Sequence, residues 1–226
     1  MTTASIEKFS GFLPEAFEVY EVPDFALRMP LLKQKITPGL TLIGEEMRER
    51  MSELLGETVF PHVAKHLRRT VNPPEETWVA FAREKRAYKP FVHPRIAVNR
   101  NNLRVLIFVE DYAEDKLLFA DNLEKNARKL AGHFHNHPEI QAYDILNVKG
   151  EPLSGSKIKT EHLKAFAVRM RAVKGQHARF GIPFPKDLAL IQNGEELLKA
   201  VENAIAILRP LYDCGKQAPQ AKNKRS

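Results

Sequence analysis

The sequence predicts an α+β fold: one compact domain over residues 1–212, with helices packed on one face of a mostly antiparallel sheet of about four to six strands. Three observations carry this. Helical spacing dominates the first third, strand-like runs cluster between residues 77 and 109, and strands and helices mix beyond them. No repeat of fixed period and no linker divides the core.

Taken in order, Asp24 after Pro23 caps a helix through Ile36, which Pro30 must start, kink or break. Thr37-Pro38 is an N-cap followed by proline at the first helical position. Leu40, Ile43, Met47, Met51, Leu54 and Leu55 then recur at helical spacing, and Gly56 is the stop. Thr58 caps a further helix that ends by Asn72, because the residue before proline avoids helical backbone. Thr77 to Arg83, Arg95 to Val98 and Leu103 to Val109 read as strands, the last apolar enough to be covered on both faces. Asn99 to Asn102 makes the hairpin between the last two.

Asp111 and Glu114 resemble a capping box for a helix from Ala113 to Ala131, ended by Gly132. Ile140 to Val148 reads as a strand, and Ser154-Gly155-Ser156 as a loop. Thr160 caps a helix through Val173, and Gly175 stops it. Ala178 to Phe184 is expected at a sheet edge, since Pro183 and Pro185 do not suit a central strand. Asn193 and Glu196 form a capping box for a last helix carrying Leu197, Val201, Ala204, Ile205 and Leu208. The basic tail, residues 213–226, is expected to be disordered.

The single cysteine, Cys214, allows no internal disulfide, and the first residues lack a signal-peptide pattern. The longest purely apolar run, Val105 to Val109, is too short to span a bilayer. These features place the chain in a reducing cytoplasm, away from membranes. The formal charge of +7 is concentrated: residues 60 to 104 hold ten Lys or Arg against three Glu, and the tail from 216 holds four bases and no acid. Residues 1 to 59 are acidic. A focused basic field attracts anionic partners, either nucleic acid or a phosphate-bearing small molecule.

That field centres on FPHVAKHLRRTVNPPEETWVAF, Phe60 to Phe81. On the expected helix His62, Lys65, His66 and Arg69 fall at i, i+3, i+4 and i+7, one stripe, with Phe60, Val63, Leu67 and Val71 opposite. A polar face made only of nitrogen lacks the mixed signs that stabilise a solvated helix, so an external anion is the natural counterpart. Arg68 lies beside the stripe, and also suits a helix C-terminus through the macrodipole. Asn72-Pro73-Pro74 turns the chain into a strand on which Trp78, Ala80 and Ala82 share one face, making Trp78 a core residue or an aromatic platform. Lys85 and Arg86 then form a basic rim.

The block HVAKHLRRTVNPPEETWVAFA, with KRAYK after it, resembles the YktB-like family of uncharacterised bacterial proteins. The likeness is specific there and looser over most of the chain. It implies a compact cytosolic α+β domain and no assigned activity.

HFHNHP places His133, His135 and His137 two apart; in a strand they would share one face and could bind zinc or copper with His62 and His66. Gly132 before and Pro138 after make it a turn, so no metal site and no cofactor are expected. There is no GxSxG, P-loop or GxGxxG. The residues therefore point to an anion-binding domain, with His62, Lys65, His66, Arg68, Arg69, Asn72, Lys85 and Arg86 as the cradle. Two alternatives stay open. One is an enzyme on a small phosphorylated substrate with His62 or His66 as acid–base; the other is a non-catalytic interaction domain whose stripe pairs with the acidic N-terminal third.

Overall fold

The computed structural model describes residues 8–67, 69–146 and 152–217. After a short helix α1 (Pro14–Glu18) come α2 (Phe25–Lys35) and α3 (Thr37–Leu55). Asp24 accepts from the Leu27 N–H at 2.8 Å and so caps α2, which runs through Pro30. Gly56 ends α3 in the left-handed region at φ 67°, the conformation that favours glycine. Next follow β1 (Phe60–Val63), β2 (Glu76–Ala82), β3 (His93–Asn99) and β4 (Asn102–Val109), then α4 (Lys116–Lys125) and α5 (Ala127–Asn136). Two short strands, β5 (Gln141–Ala142) and β6 (Leu153–Ser154), precede α6 (Thr160–Ala172), β7 (Ala178–Pro185) and α7 (Gly194–Tyr212). Asn193 caps α7 by accepting from Glu196 N–H, and Asn193 Nδ2 donates back to the Glu196 carboxylate at 3.0 Å.

Among the described residues the sheet has seven strands in the order β1-β2-β3-β4-β7-β5-β6, with every pairing antiparallel. The α+β class holds, and the strand count rises above the expected range because β5 and β6 are two-residue pairings. Alternation sorts the strands into two faces. Val79, Phe81, Ile96, Val98, Val105, Ile107, Phe180 and Ile182 face the helices and form the main core. α3 lies across β1 and β2, and α7 across β3, β4 and β7. Phe134 of α5 and Phe166 of α6 both meet the Phe180 ring, at 5.9 and 6.0 Å. All these helices therefore pack on one side. A Cβ on Gly44 would come within 2.9 Å of Pro61 and 3.2 Å of Val79, so glycine is what lets α3 approach β1 and β2 this closely.

Several expectations are corrected. The described residues between 58 and 72 do not form a helix: β1 is an edge strand, and residues 64 to 67 and 69 to 75 are irregular. Over so short a segment the i, i+3, i+4 pattern is hard to tell from alternation, and pairing with β2 decides the outcome. Leu67 and Val71, expected on the apolar side of that helix, are 84% and 74% exposed. Pro61 is tolerated because β1 has a partner on one side only.

The expected helix over 113–131 is two helices. Asn126, at their junction, donates from Nδ2 to the Asn122 carbonyl at 2.8 Å, local bonding that disrupts a continuous helix. Gly132 does not stop α5, which runs on to Asn136, so HFHNHP is mostly a last helical turn. Its His133 donates to the Ile207 carbonyl at 2.8 Å.

β7 is interior, not an edge strand. Its prolines fit because β5 pairs only with Phe180 and Gly181, leaving Pro183 and Pro185 to face β4 alone. The strand expected over 140–148 shrinks to β5, and its end lies outside the described residues, as does the tail from 218. Asp213–Gly215 forms a single 3-10 turn with Cys214 buried.

Candidate functional site

Among the described residues, the other side of the sheet carries no helix. Its register places His62, Ala80, Arg95, Leu106 and Gly181 in one cross-strand row. Trp78, Ala97, Arg104 and Pro183 form the next row, and His93, Phe108 and Arg179 a third. The floor is thus made of small side chains, with aromatic rings and guanidinium groups standing on it.

Arg95 organises this face. It is 2% exposed, and its guanidinium lies 3.5 Å from the Phe108 ring centroid and 4.6 Å from that of Trp78. Its Nη2 meets the Glu110 carboxylate at 2.5 Å, and its Nε donates to His93 Nε2 at 2.8 Å. His93 Nδ1 in turn donates to the Phe91 carbonyl at 2.7 Å, which fixes the tautomer. Burial first, then the Arg95 charge, keep the His93 ring neutral well below its ordinary range. Burial alone would raise the Glu110 carboxyl, yet the His177 contact and Arg95 overcome it and hold it at about 2.

Two more guanidinium–carboxylate pairs lie outward. Arg104 pairs with Glu76 and sits 5.1 Å from the Tyr143 ring. Arg179 makes a forked pair with Asp144 at 2.7 and 2.9 Å.

The expected cradle residues meet this face unevenly. His62 donates from Nε2 to the Glu84 carbonyl at 2.8 Å and lies 5.4 Å from the Tyr88 ring. His66 stands edge-on to Trp78 at 5.3 Å, with Nε2 at 3.1 Å from Thr77 Oγ1. Trp78 Nε1 donates to the Tyr88 hydroxyl at 3.3 Å. So His62 and Trp78 both meet Tyr88, the tyrosine of the KRAYK run, and His66 adjoins them through Trp78. Trp78 is half-buried: it is a wall of this face, outside the main core.

Lys65 and Asn72 are exposed, and Arg69 donates to the Asn72 carbonyl at 3.3 Å. Arg68 lies outside the described residues. Lys85 sits over the Phe60 ring at 5.2 Å, in a shallow cleft of about 400 Å³ shared with Glu45 and Glu49 of α3. It stands with those acids and does not join the His66 group. Arg86 is exposed.

His66 is unusual in two respects. At φ 50° it is the one non-glycine residue with positive φ among the described residues. Its ring is held down at about 4, first by burial, then by the charges of Arg69 and Lys89, with Glu76 opposing. Burial also lowers His62. Both rings are thus neutral near pH 7 and able to accept a proton or a hydrogen bond.

Sequence reasoning missed Arg95, Arg104, Arg179, Glu110, His93 and His177. The signal was present: Arg95 and Arg104 each interrupt an apolar strand at an alternate position, and a charge there marks a face that is not plain core. Among the described residues, Glu110, Asp111 and His177 are the one group of three potential metal ligands whose donor atoms all lie within 4.8 Å of one another.

Fold and site together define an α+β open-sheet domain with helices on one face and an arginine–aromatic layer on the other. The family model described as a domain of unknown function, DUF1054, matches residues 12–212, and the chain belongs to that family. It is 34% identical over 206 residues to a UPF0637 protein of Bacillus velezensis, covering 89% of this chain and 94% of that protein. A UPF0637 protein of Shouchella clausii is 32% identical over 203 residues, covering 89% and 93%. One from Listeria monocytogenes is 31% identical over 212 residues, covering 92% and 99%. The resemblance to the YktB-like bacterial family is borne out. No helix among the described residues is long and apolar enough to cross a membrane.

Proposed function

We propose that the helix-free face binds a phosphate-bearing ligand with a flat ring, of which a nucleotide or a nucleotide unit of single-stranded nucleic acid is the simplest example. The anion meets the edge formed by His66, Arg69 and Lys89, and the ring packs beside Trp78 and Tyr88. One observation carries this reading. The carboxylates of the face are taken by its central arginines: Glu110 by Arg95, Glu76 by Arg104, Asp144 by Arg179. By contrast, no ion pair among the described residues joins Lys65, Arg69 or Lys89 to an acid. The interior of the site is neutralised and its edge is not, an arrangement that leaves positive potential for an incoming anion. The adjoining aromatic groups, fixed by the Trp78–Tyr88 hydrogen bond, offer a stacking surface.

Trp78 is the only tryptophan, so its emission reports on this site alone. Titration with ATP, AMP, inorganic phosphate and a short oligonucleotide should change that emission with at least one nucleotide and weaken steeply as salt rises. Lys89→Ala and Arg69→Ala should each reduce affinity roughly tenfold, the scale of one hydrogen bond to a charged group. Unchanged emission with every probe at low salt removes the proposal.

The positive φ of His66 favours a second reading, in which the site also performs acid–base chemistry on the bound phosphate compound, since strained backbone collects at reacting residues. His66→Gln separates the two: lost turnover with retained binding supports chemistry, and retention of both leaves a binding domain.

A further inference from the structure

We infer that Glu110, Asp111 and His177 form a binding site for one divalent first-row metal ion, at the end of the helix-free face and separate from the His66–Trp78 edge. The sheet builds the cluster. β4 and β7 run side by side and are in register as far as Val109 opposite Ala178. Glu110 and His177, each the next residue outward, therefore emerge together where the two strands part, and Asp111 follows where the chain turns toward α4.

The donor geometry suits a small ion. His177 Nδ1 lies 3.4 Å from Glu110 Oε2 and 4.0 Å from Asp111 Oδ1. A triangle of donors on this scale places its centre about 2–3 Å from each, and small closure brings that to about 2.0–2.2 Å, the length of first-row metal bonds to imidazole and carboxylate.

The Asp111 N–H points to His177 Nδ1 at 3.2 Å, so an ion held by that nitrogen takes the place of this contact.

Donor convergence and access favour the metal. Arg95 balances Glu110 and Lys116 faces Asp111, so the three converging donors, and not a net charge, draw the ion. Arg95 occupies only Oε1 of Glu110, steadying the carboxylate with Oε2 turned to the cluster, the role a supporting hydrogen bond plays beside metal ligands. Glu110 is nearly buried, whereas the Asp111 and His177 side chains are 28% and 38% exposed. The ion has a route from solvent and keeps coordination positions open to water or to a ligand oxygen. One imidazole with two carboxylates suits manganese or zinc better than the soft metals that thiolates select.

The test uses the full chain, stripped with EDTA and dialysed, and titrated calorimetrically with Mn²⁺ and with Zn²⁺ alone. One ion per chain is expected for at least one metal. Asp111→Asn and His177→Ala should each weaken it by about tenfold or more. The triple variant His133→Ala, His135→Ala, His137→Ala removes the competing histidine run and should leave that ion in place. Mn²⁺ should broaden the ring resonances of His177 at substoichiometric ratios, before those of His133. Both substituted side chains are partly exposed, and circular dichroism checks that the variants fold; if His177→Ala does not, Asp111→Asn decides the matter. Absence of binding by the parent chain, or binding unaltered in Asp111→Asn, overturns the inference. The anion reading stands or falls separately on the Trp78 titration.

Discussion

His93 and Arg95, two residues apart on β3, share a 2.8 Å hydrogen bond in which the guanidinium Nε–H donates to the imidazole Nε2, and both side chains are buried. An arginine beside a histidine is tolerable only because the ring stays neutral and Glu110 supplies the opposite charge. The three residues act as a unit, and the outer aromatic groups rest on it.

The first prediction concerns that unit. Arg95→Met leaves the buried Glu110 without its counter-charge, and Glu110→Gln does the converse. Each should lower stability by about 3–5 kcal/mol, as expected for breaking one partner of a buried pair. The double change Arg95→Met with Glu110→Gln should cost much less than the sum, because no uncompensated charge remains. Denaturant unfolding of the four proteins measures the coupling.

A second prediction follows from the histidines. In the unfolded chain they take up protons below about pH 6.5, whereas folded His93 resists protonation well below that and His66 does so down to about 4. The unfolded state therefore binds more protons, and stability falls as pH drops from about 6.5 towards 4. Glu110 adds a loss of the same sign lower down: its carboxylate, ordinarily near 4.5, stays ionised to about 2, so its contribution is lost between those values. Urea midpoints between about pH 7 and pH 4 should decline, and His66→Gln should flatten the slope.

Third, Gly44→Val should destabilise the chain by about 1–3 kcal/mol through overpacking, since even a Cβ there presses on Pro61 and Val79. The effect should appear as a lowered thermal midpoint with the helical circular dichroism signal retained.

Fourth, Tyr88→Phe removes the acceptor of the Trp78 Nε1–H. A loss of about 1 kcal/mol is expected. A shift in tryptophan emission should accompany it, reporting that the indole has changed its surroundings.

Much of this architecture was legible in the residues, and the failures share a cause. Asp24, Gly56 and Asn193 act through neighbours a few positions away, so their caps and stops read directly. The hairpin at Asn99–Asn102 and the strands around it are local in the same sense. The segment from Phe60 to Asn72 is not: its backbone is decided by β2, and the apparent stripe of bases dissolved once Phe60–Val63 paired there. β7 was misplaced for the same reason, because which of its residues have two neighbours depends on where β5 ends.

The site was half legible. His62, His66 and Trp78 do meet, though by strand register and a loop and not along a helix. Arg95, Arg104 and Arg179 come from three strands that only the folded sheet aligns, and their carboxylate partners lie on other elements. No single window of the sequence contains such a set.

The interior position of β7 has a consequence for how the chain is made. The β1–β4 meander can form as soon as it leaves the ribosome, but the outer edge of β4 must wait, unpaired and apolar, while α4, α5 and α6 are synthesised. Only then does β7 arrive to cover it. A nascent chain paused in that interval exposes the edge to other chains, so slow translation between residues 110 and 177 should favour aggregation more than an equal delay after residue 185.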